Sequence, residues 1–109
     1  MREKQSKFVR MVADLILWAY NSGYELTMGD GYRDPRVFGN IGESKGYGHT
    51  KSCHKIRLAV DFNLFKDDHW LSNTEDFLPL GEYWESIGGC WGGRFNDGNH
   101  FSLEHEGRR

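Results

Sequence analysis

The chain has 109 residues, of which 38% are hydrophobic, and its 14 basic and 16 acidic side chains give a formal net charge of −2. This apolar share is enough for the core of one domain, which excludes extensive disorder. The lack of a basic excess argues against nonspecific nucleic-acid binding, and no apolar run reaches the roughly 20 residues of a membrane span. We therefore expect a single domain over residues 1–109.

The start of the chain has no signal-peptide pattern, because residues 1–5 lead into an amphipathic stretch rather than an apolar block. We therefore expect the protein to be made and kept in the cytosol. Cys53 and Cys90 are too few for a disulfide framework and are interpreted as reduced thiols.

Hydrophobic periodicity predicts two elements before a long loop. Apolar residues recur at three- and four-residue steps over 5–21, which predicts an amphipathic helix that ends before Gly23. Residues 24–28 alternate between apolar and polar, as in a strand with one buried face. Residues 29–53 are rich in Gly, Asp, Asn and Ser and are expected to form a long loop, which in a compact domain is usually functional or mobile.

The second half of the chain predicts a longer strand, a helix and a final strand. Residues 58–65 alternate as a strand, and residues 66–74 are expected to form a polar loop. Residues 77–87 fit a second helix, followed by a short strand at Cys90-Trp91 and a turn-rich loop. A last strand is expected over 100–104. The predicted fold is α+β, with two main helices and a small, largely antiparallel sheet.

Histidine and aspartate residues lie in or next to two of the predicted strands, the longer strand and the final strand. His54 precedes the longer strand, Asp61 lies within it, and His100 begins the final strand. A carboxylate in mid-strand between apolar neighbours is costly unless it is paired or binds a metal. If the strands are neighbours, Asp61 and His100 project from the same side and His54 can fold over them. Three such ligands leave a fourth position for water, as in a catalytic zinc site.

Each of these residues also has an ordinary structural interpretation. Either histidine could be a surface or hydrogen-bonded residue, and Asp61 could accept backbone N–H bonds. Asp97, followed by a glycine, fits an Asp-Gly turn. His69 beside Asp67 and Asp68 could form an accessory cation site, although a solvated acidic turn is the preferred interpretation.

Three blocks of sequence together point to one protein family. They are Gly31-Tyr32-Arg33, the segment 52–61 (SCHKIRLAVD) and the segment 91–101 (WGGRFNDGNHF). They resemble the G-Y-R, S-x-H-x-x-G-x-A-x-D and W-G-G-x-(W/F)-x-D-x-x-H-F elements of the zinc D-Ala-D-Ala peptidase family. This family includes VanX/VanY-like enzymes and phage endolysins of the L-alanyl-D-glutamate endopeptidase type. Arg57 replaces a motif glycine, so we expect the local backbone to avoid a positive φ or to bend differently.

The resemblance implies roles for four residues in catalysis. His54, Asp61 and His100 would bind one Zn²⁺ per chain. Asp97 would be the general base, which takes a proton from the attacking water and passes it to the departing amine.

The resemblance also implies a set of residues that bind substrate or support the site. Arg33 is a catalytic candidate as well: it would lie near the substrate, where a planar guanidinium suits a carboxylate or a developing oxyanion. Ser52 is expected to support the site by hydrogen bonding, and Tyr32 and His49 are candidates for substrate contact.

These implications lead to one preferred function. The protein is expected to be a zinc metallopeptidase that hydrolyses an amide bond in the peptidoglycan stem peptide, between L-Ala and D-Glu. It would act in host lysis as a phage or prophage endolysin, without a separate wall-binding domain. We expect a monomer with no nucleic-acid or membrane partner, held in the host cytoplasm until its release to the periplasm and cell wall.

Three other functions are compatible with parts of the pattern. The first is a D-Ala-D-Ala carboxypeptidase or dipeptidase, and the second is a non-catalytic wall-binding module that keeps the zinc. The third is a metal-dependent nuclease using His49, His54 and Asn63, against which the net charge argues.

Overall fold

In the part of the chain that the structure describes, two α-helices and a five-stranded antiparallel sheet make up the fold. The computed structural model describes residues 1–29 and 56–107. The α+β class predicted from the sequence is confirmed. Within the described residues the elements are α1 (Arg2–Asn21), β1 (Glu25–Met28), β2 (Ala59–Lys66), β3 (His69–Leu71), α2 (Leu78–Ser86), β4 (Cys90–Trp91) and β5 (His100–Ser102), with 3₁₀ turns at Thr74–Phe77 and Gly92–Phe95.

Strand β2 is the centre of the sheet. The strand order is β1-β2-β5-β4, and β3 also pairs with β2. β1 lies along one side of β2, while β5 and β3 follow each other along its opposite side. Every pairing is antiparallel and the register along β2 has no interruption. Side chains therefore alternate strictly between its two faces.

One face of the sheet joins the helices in a common core. Phe8 of α1 packs edge-on against Trp84 of α2 at 5.8 Å, and Trp84 packs in the same way on Phe101 of β5 at 5.9 Å. Phe62 and Leu64 of β2 are buried in the same cluster. We call this the core face. The other side of β2, on which Asp61, Asn63 and Phe65 project, is called the site face.

The strand β3 corrects one prediction. Residues 66–74 were expected to form a polar loop, but His69–Leu71 pairs with β2 as a hairpin. Asp67 and Asp68 form its two-residue turn, with φ of 52° and 66°. Tight hairpin turns of this kind usually carry Asn-Gly or Asp-Gly, so two aspartates resemble an ordinary solvated loop.

The helices agree with the sequence prediction. α1 begins three residues earlier than the predicted start and ends at the predicted Asn21, and α2 has Pro79 in its first turn. α1 buries Phe8, Met11, Leu15 and Ala19, so one stripe of the helix faces the core. Among the described residues, no helix combines the length and the hydrophobicity needed to cross a membrane.

Candidate metal centre

Asp61 of β2 and His100 of β5 stand directly opposite each other in the sheet. The Phe62 N–H donates to the Asn99 carbonyl at 3.0 Å, so the two residues occupy a non-hydrogen-bonded position. In antiparallel sheets this position brings opposing side chains closest together. His100 Nδ1 lies 3.1 Å from Asp61 Oδ1, and the two side chains are only 12% and 6% exposed.

This pair of donors is suited to a zinc ion. Two atoms that bind one tetrahedral zinc at about 2.0–2.2 Å lie roughly 3.3–3.6 Å from each other. The Asp61–His100 separation is close to that value and also permits a direct hydrogen bond. Residues 1–29 and 56–107 contain no group of three or more His, Cys, Asp or Glu side chains able to hold a metal ion. The predicted third ligand, His54, lies outside them.

Gly29 brings the chain against Asp61 at the end of β1. Its N–H donates to the Asp61 carbonyl at 2.8 Å, and a Cβ at position 29 would lie 3.0 Å from the Asp61 Cβ. The connection to residues 30–55 therefore begins at the candidate centre. The predicted site residues that lie in this connection, outside the described residues, are Tyr32, Arg33, His49, Ser52 and His54.

Asp97 lies in the turn that leads into β5. Its N–H donates to the Gly92 carbonyl at 2.9 Å, and its own carbonyl accepts the His100 N–H at 3.1 Å. The side chain is exposed to solvent, while Asp61 and His100 are largely buried. The turn thus combines a fixed backbone with an accessible carboxylate, three residues before the histidine. A general base requires this combination of position and access.

Gly92 is a site residue that sequence reasoning did not single out. A Cβ at this position would lie 2.3 Å from the Asp97 carbonyl oxygen, so only glycine permits this turn. Asn96, in the same turn, adopts the left-handed conformation with φ of 61°. The available signal was the Gly-Gly pair after Trp91, which marks a close approach of backbone to neighbouring atoms.

The Trp91 side chain packs under the turn that carries Asp97 and hydrogen-bonds to it. It is 3% exposed, and its Nε1 donates to the Gly98 carbonyl at 2.7 Å. A Cβ at Gly81 or at Gly93 would lie 2.1 Å from its ring, so the indole packs directly against the backbone of both glycines. Trp91 is therefore a core residue whose ring also holds the backbone that carries Asp97.

Arg94 covers the outer side of this tryptophan. Its guanidinium lies 5.1 Å from the Trp91 ring centroid and donates to both carboxylate oxygens of Glu85, at 2.8 and 3.0 Å. The hydrogen bond from Arg94 lowers the pKa of Glu85 below its ordinary value, against the opposing effect of burial. The ion pair ties the 3₁₀ turn to α2.

Arg57 overturns the expectation for the replaced motif glycine. The backbone does not avoid a positive φ here, because Arg57 has φ of 60°. Its side chain is exposed. Left-handed backbone costs an L-residue roughly 1–2 kcal/mol, which this protein tolerates just before the strand that carries Asp61.

The buried Asp61–His100 pair supplies O and N donors of the kind that bind zinc, and an exposed aspartate lies three residues before the histidine. The sequence model of the D-alanyl-D-alanine carboxypeptidase family matches residues 45–103, more than half of the chain. The chain therefore belongs to this family, whose members are zinc metallopeptidases. The match includes Asp61, Asp97 and His100. A search of curated proteins found no match to the chain.

Proposed function

We propose that the protein is a zinc-dependent peptidase that hydrolyses the L-Ala–D-Glu bond of the peptidoglycan stem peptide. The observation that carries the proposal is the buried Asp61–His100 pair, with its 3.1 Å separation and its position next to the Asp97 turn. Family membership supports a metallopeptidase that acts on peptidoglycan peptides. The choice of bond rests on the resemblance of the three sequence blocks to the endolysin branch.

Asp61, His100 and His54 would hold the metal. The carboxylate and imidazole are N and O donors without a thiolate, which suits a catalytic rather than a structural zinc. When bound, zinc would polarise the scissile carbonyl and lower the pKa of a coordinated water. Burial of Asp61 and His100 keeps bulk water from the donors and fixes their orientation.

Asp97 would perform the proton transfers. Its carboxylate is accessible to substrate and water, and the Gly92 and His100 backbone bonds fix its position. It accepts one proton from the attacking water and returns that proton to the nitrogen of the breaking amide bond. Arg33 would bind a substrate carboxylate or the developing negative charge on the carbonyl oxygen.

A D-Ala–D-Ala carboxypeptidase activity is the second candidate. The description of the matching family favours it directly. It would use the same donors and the same base, so the two candidates differ only in how the substrate lies across the site.

Digestion of purified peptidoglycan separates the candidates. Mass spectrometry of the products would show new D-Glu amino termini if the L-Ala–D-Glu bond is cut, and free D-Ala if the terminal bond is cut. Zinc-loaded and chelated protein are compared in parallel. Metal uptake without any new terminus would contradict both candidates and would favour a non-catalytic wall-binding module.

We also propose the endolysin role and its location. The protein would remain in the host cytoplasm until a membrane lesion releases it to the periplasm and cell wall. Expression in a Gram-negative cell should leave turbidity unchanged until the inner membrane is permeabilised, and turbidity should then fall. The Asp97→Asn variant is the control. Lysis without permeabilisation, or an equal response of the variant, would contradict the role.

A further inference from the structure

Trp70 is an exposed tryptophan on the β2–β3 hairpin. It is 65% exposed, and it stands directly opposite Phe65 in the pairing of β3 with β2. Phe65 is half-buried, and it projects from the same face of the hairpin as the exposed indole. We call these two side chains the platform. The core residues Leu64 and Leu71 form the next pair of the same hairpin and point to the opposite side.

The platform lies on the site face. Phe65 is four residues after Asp61 on a strand without a register break, so both side chains project from the same face. Opposing residues of an antiparallel pair share a face, which places Trp70 with Phe65 and His100 with Asp61. At about 3.3 Å per residue, the platform begins roughly 13 Å from the Asp61–His100 pair. β3 and β5 border the same side of β2, so Trp70 and His100 are in line.

The surface between the platform and the metal centre is polar. Asn63 projects there, and its Nδ2 donates to Thr27 Oγ1 at 3.2 Å and to the Met28 carbonyl at 3.4 Å. One indole and one half-buried phenyl ring are far smaller than the roughly 1,000 Å² of a stable protein interface. An isolated flat ring beside amide and hydroxyl groups suits a ligand that is flat, carries C–H bonds on one face and has hydroxyl groups at its edge.

We propose that Trp70 and Phe65 bind a sugar ring of the peptidoglycan glycan strand. The pyranose C–H face would stack on the indole, whose π face attracts positively polarised hydrogens. This inference rests on the proposed function, because the peptide bond cut at the metal centre belongs to a peptide attached to that glycan. Trp70 would thereby favour glycan-linked stem peptides over free peptides.

The distance from the metal centre to the nearest sugar depends on which stem-peptide bond is cut. One residue and a short linker between the cleaved bond and the sugar cover roughly 7 Å at full extension, and the sugars begin beyond that point. A bond four residues along the stem would place the nearest sugar roughly 17 Å away. The roughly 13 Å separation lies between these two values, so the choice of bond rests on the sequence resemblance and not on this distance.

Two substrates with the same stem peptide test the inference. One is the free peptide and the other is a muropeptide that carries the disaccharide. Trp70→Ala should lower kcat/KM for the muropeptide about five- to ten-fold and leave the free peptide unchanged. Trp70→Phe should retain most of the preference. Leu17→Ala, which removes an exposed apolar side chain on α1, is the matched control and should change neither substrate.

Binding of N-acetylglucosamine oligosaccharides, measured by calorimetry, gives a readout that does not need catalysis. The wild type should bind the oligosaccharide, and Trp70→Ala should weaken that binding about five- to ten-fold. If the wild type cuts neither substrate, the proposed function fails and the binding measurement alone decides the inference. Equal losses on both substrates would overturn it. Unchanged sugar binding in Trp70→Ala would also overturn the inference. So would a substitution that changes only the oligomeric mass of the protein.

Discussion

Gly92 lies so close to His100 that no side chain fits between them. A Cβ at position 92 would stand 2.7 Å from the His100 Cβ, closer than nonbonded carbons approach each other. Because the same glycine accepts the Asp97 N–H, one backbone position controls both the candidate base and a candidate ligand. The turn and the first residue of β5 are therefore one packed unit.

Gly92→Ala should distort this unit. We expect a loss of about 1–3 kcal/mol in the free energy of unfolding, as for other overpacked sites, with lower zinc affinity. Urea unfolding and metal titration provide the measurements. Gly88→Ala is the control. A Cβ at position 88 would meet open space, but the backbone there has φ of +105°, which strains a residue other than glycine. This substitution should cost about 1–2 kcal/mol and leave zinc affinity unchanged. Wild-type stability and zinc affinity in Gly92→Ala would contradict the packing argument.

His100→Ala should remove bound zinc and peptidase activity. A three-ligand site that loses one imidazole retains too few donors, so we expect metal content to fall from one per chain towards zero. Elemental analysis after dialysis measures this. His105→Ala is the matched control, since that half-buried ring contacts Lys4 at 3.3 Å and lies beyond the end of β5. Equal zinc content in both variants would rule out His100 as a ligand.

Asp97→Asn should lower kcat by about 10²–10⁴ while zinc stays bound, because a general base contributes on that scale. Steady-state kinetics and elemental analysis of the same preparations measure kcat and bound zinc. Asp14→Asn, which changes another exposed carboxylate, on α1, controls for the charge change. Full activity in Asp97→Asn with zinc bound would assign the proton transfers to another group.

Arg57→Gly should raise the free energy of unfolding by about 0.5–1 kcal/mol. Glycine adopts φ of 60° without a Cβ clash, although part of this gain is lost to the greater entropy of the unfolded chain. Arg57→Ala removes the same side chain but keeps the strain, so its stability should stay within about 0.5 kcal/mol of the wild type. Thermal and urea unfolding compare the two. Equal gains in both variants would attribute the effect to the side chain instead.

The Glu85–Arg94 ion pair should stabilise the folded protein at neutral pH and lose this effect at acidic pH. The pKa of Glu85 is lowered in the folded protein, so its contribution is present above the ordinary value near 4.5. It is lost as the pH falls through the lower folded value. Glu85→Gln should therefore reduce stability slightly at pH 7 and flatten the change below pH 4.5. Urea unfolding from pH 3 to pH 7 provides the test. If the free energy of unfolding of Glu85→Gln falls with decreasing pH as steeply as that of the wild type, the prediction is contradicted.

Much of the fold was predictable because its determinants are local. The periodic apolar positions of α1 and α2, and the alternation along β2, follow from burying one side of each element. Asp61 was also identifiable, since a carboxylate between Val60 and Phe62 needs a compensating partner. β3 was missed because its Asp67-Asp68 turn lacks the usual glycine. The left-handed backbone at Arg57 was missed for the same reason.

By itself, the sequence determined which donors exist, how they are spaced and which strand or turn carries each one. Only the tertiary structure decided that Asp61 meets His100, 39 residues away, across a non-hydrogen-bonded position. It also decided that Trp70 shares their face of the sheet. The physical reason is that pairing between distant strands depends on the shared burial of the core face and on tight turns such as that at Gly92. These contacts form only when the whole sheet and both helices pack together.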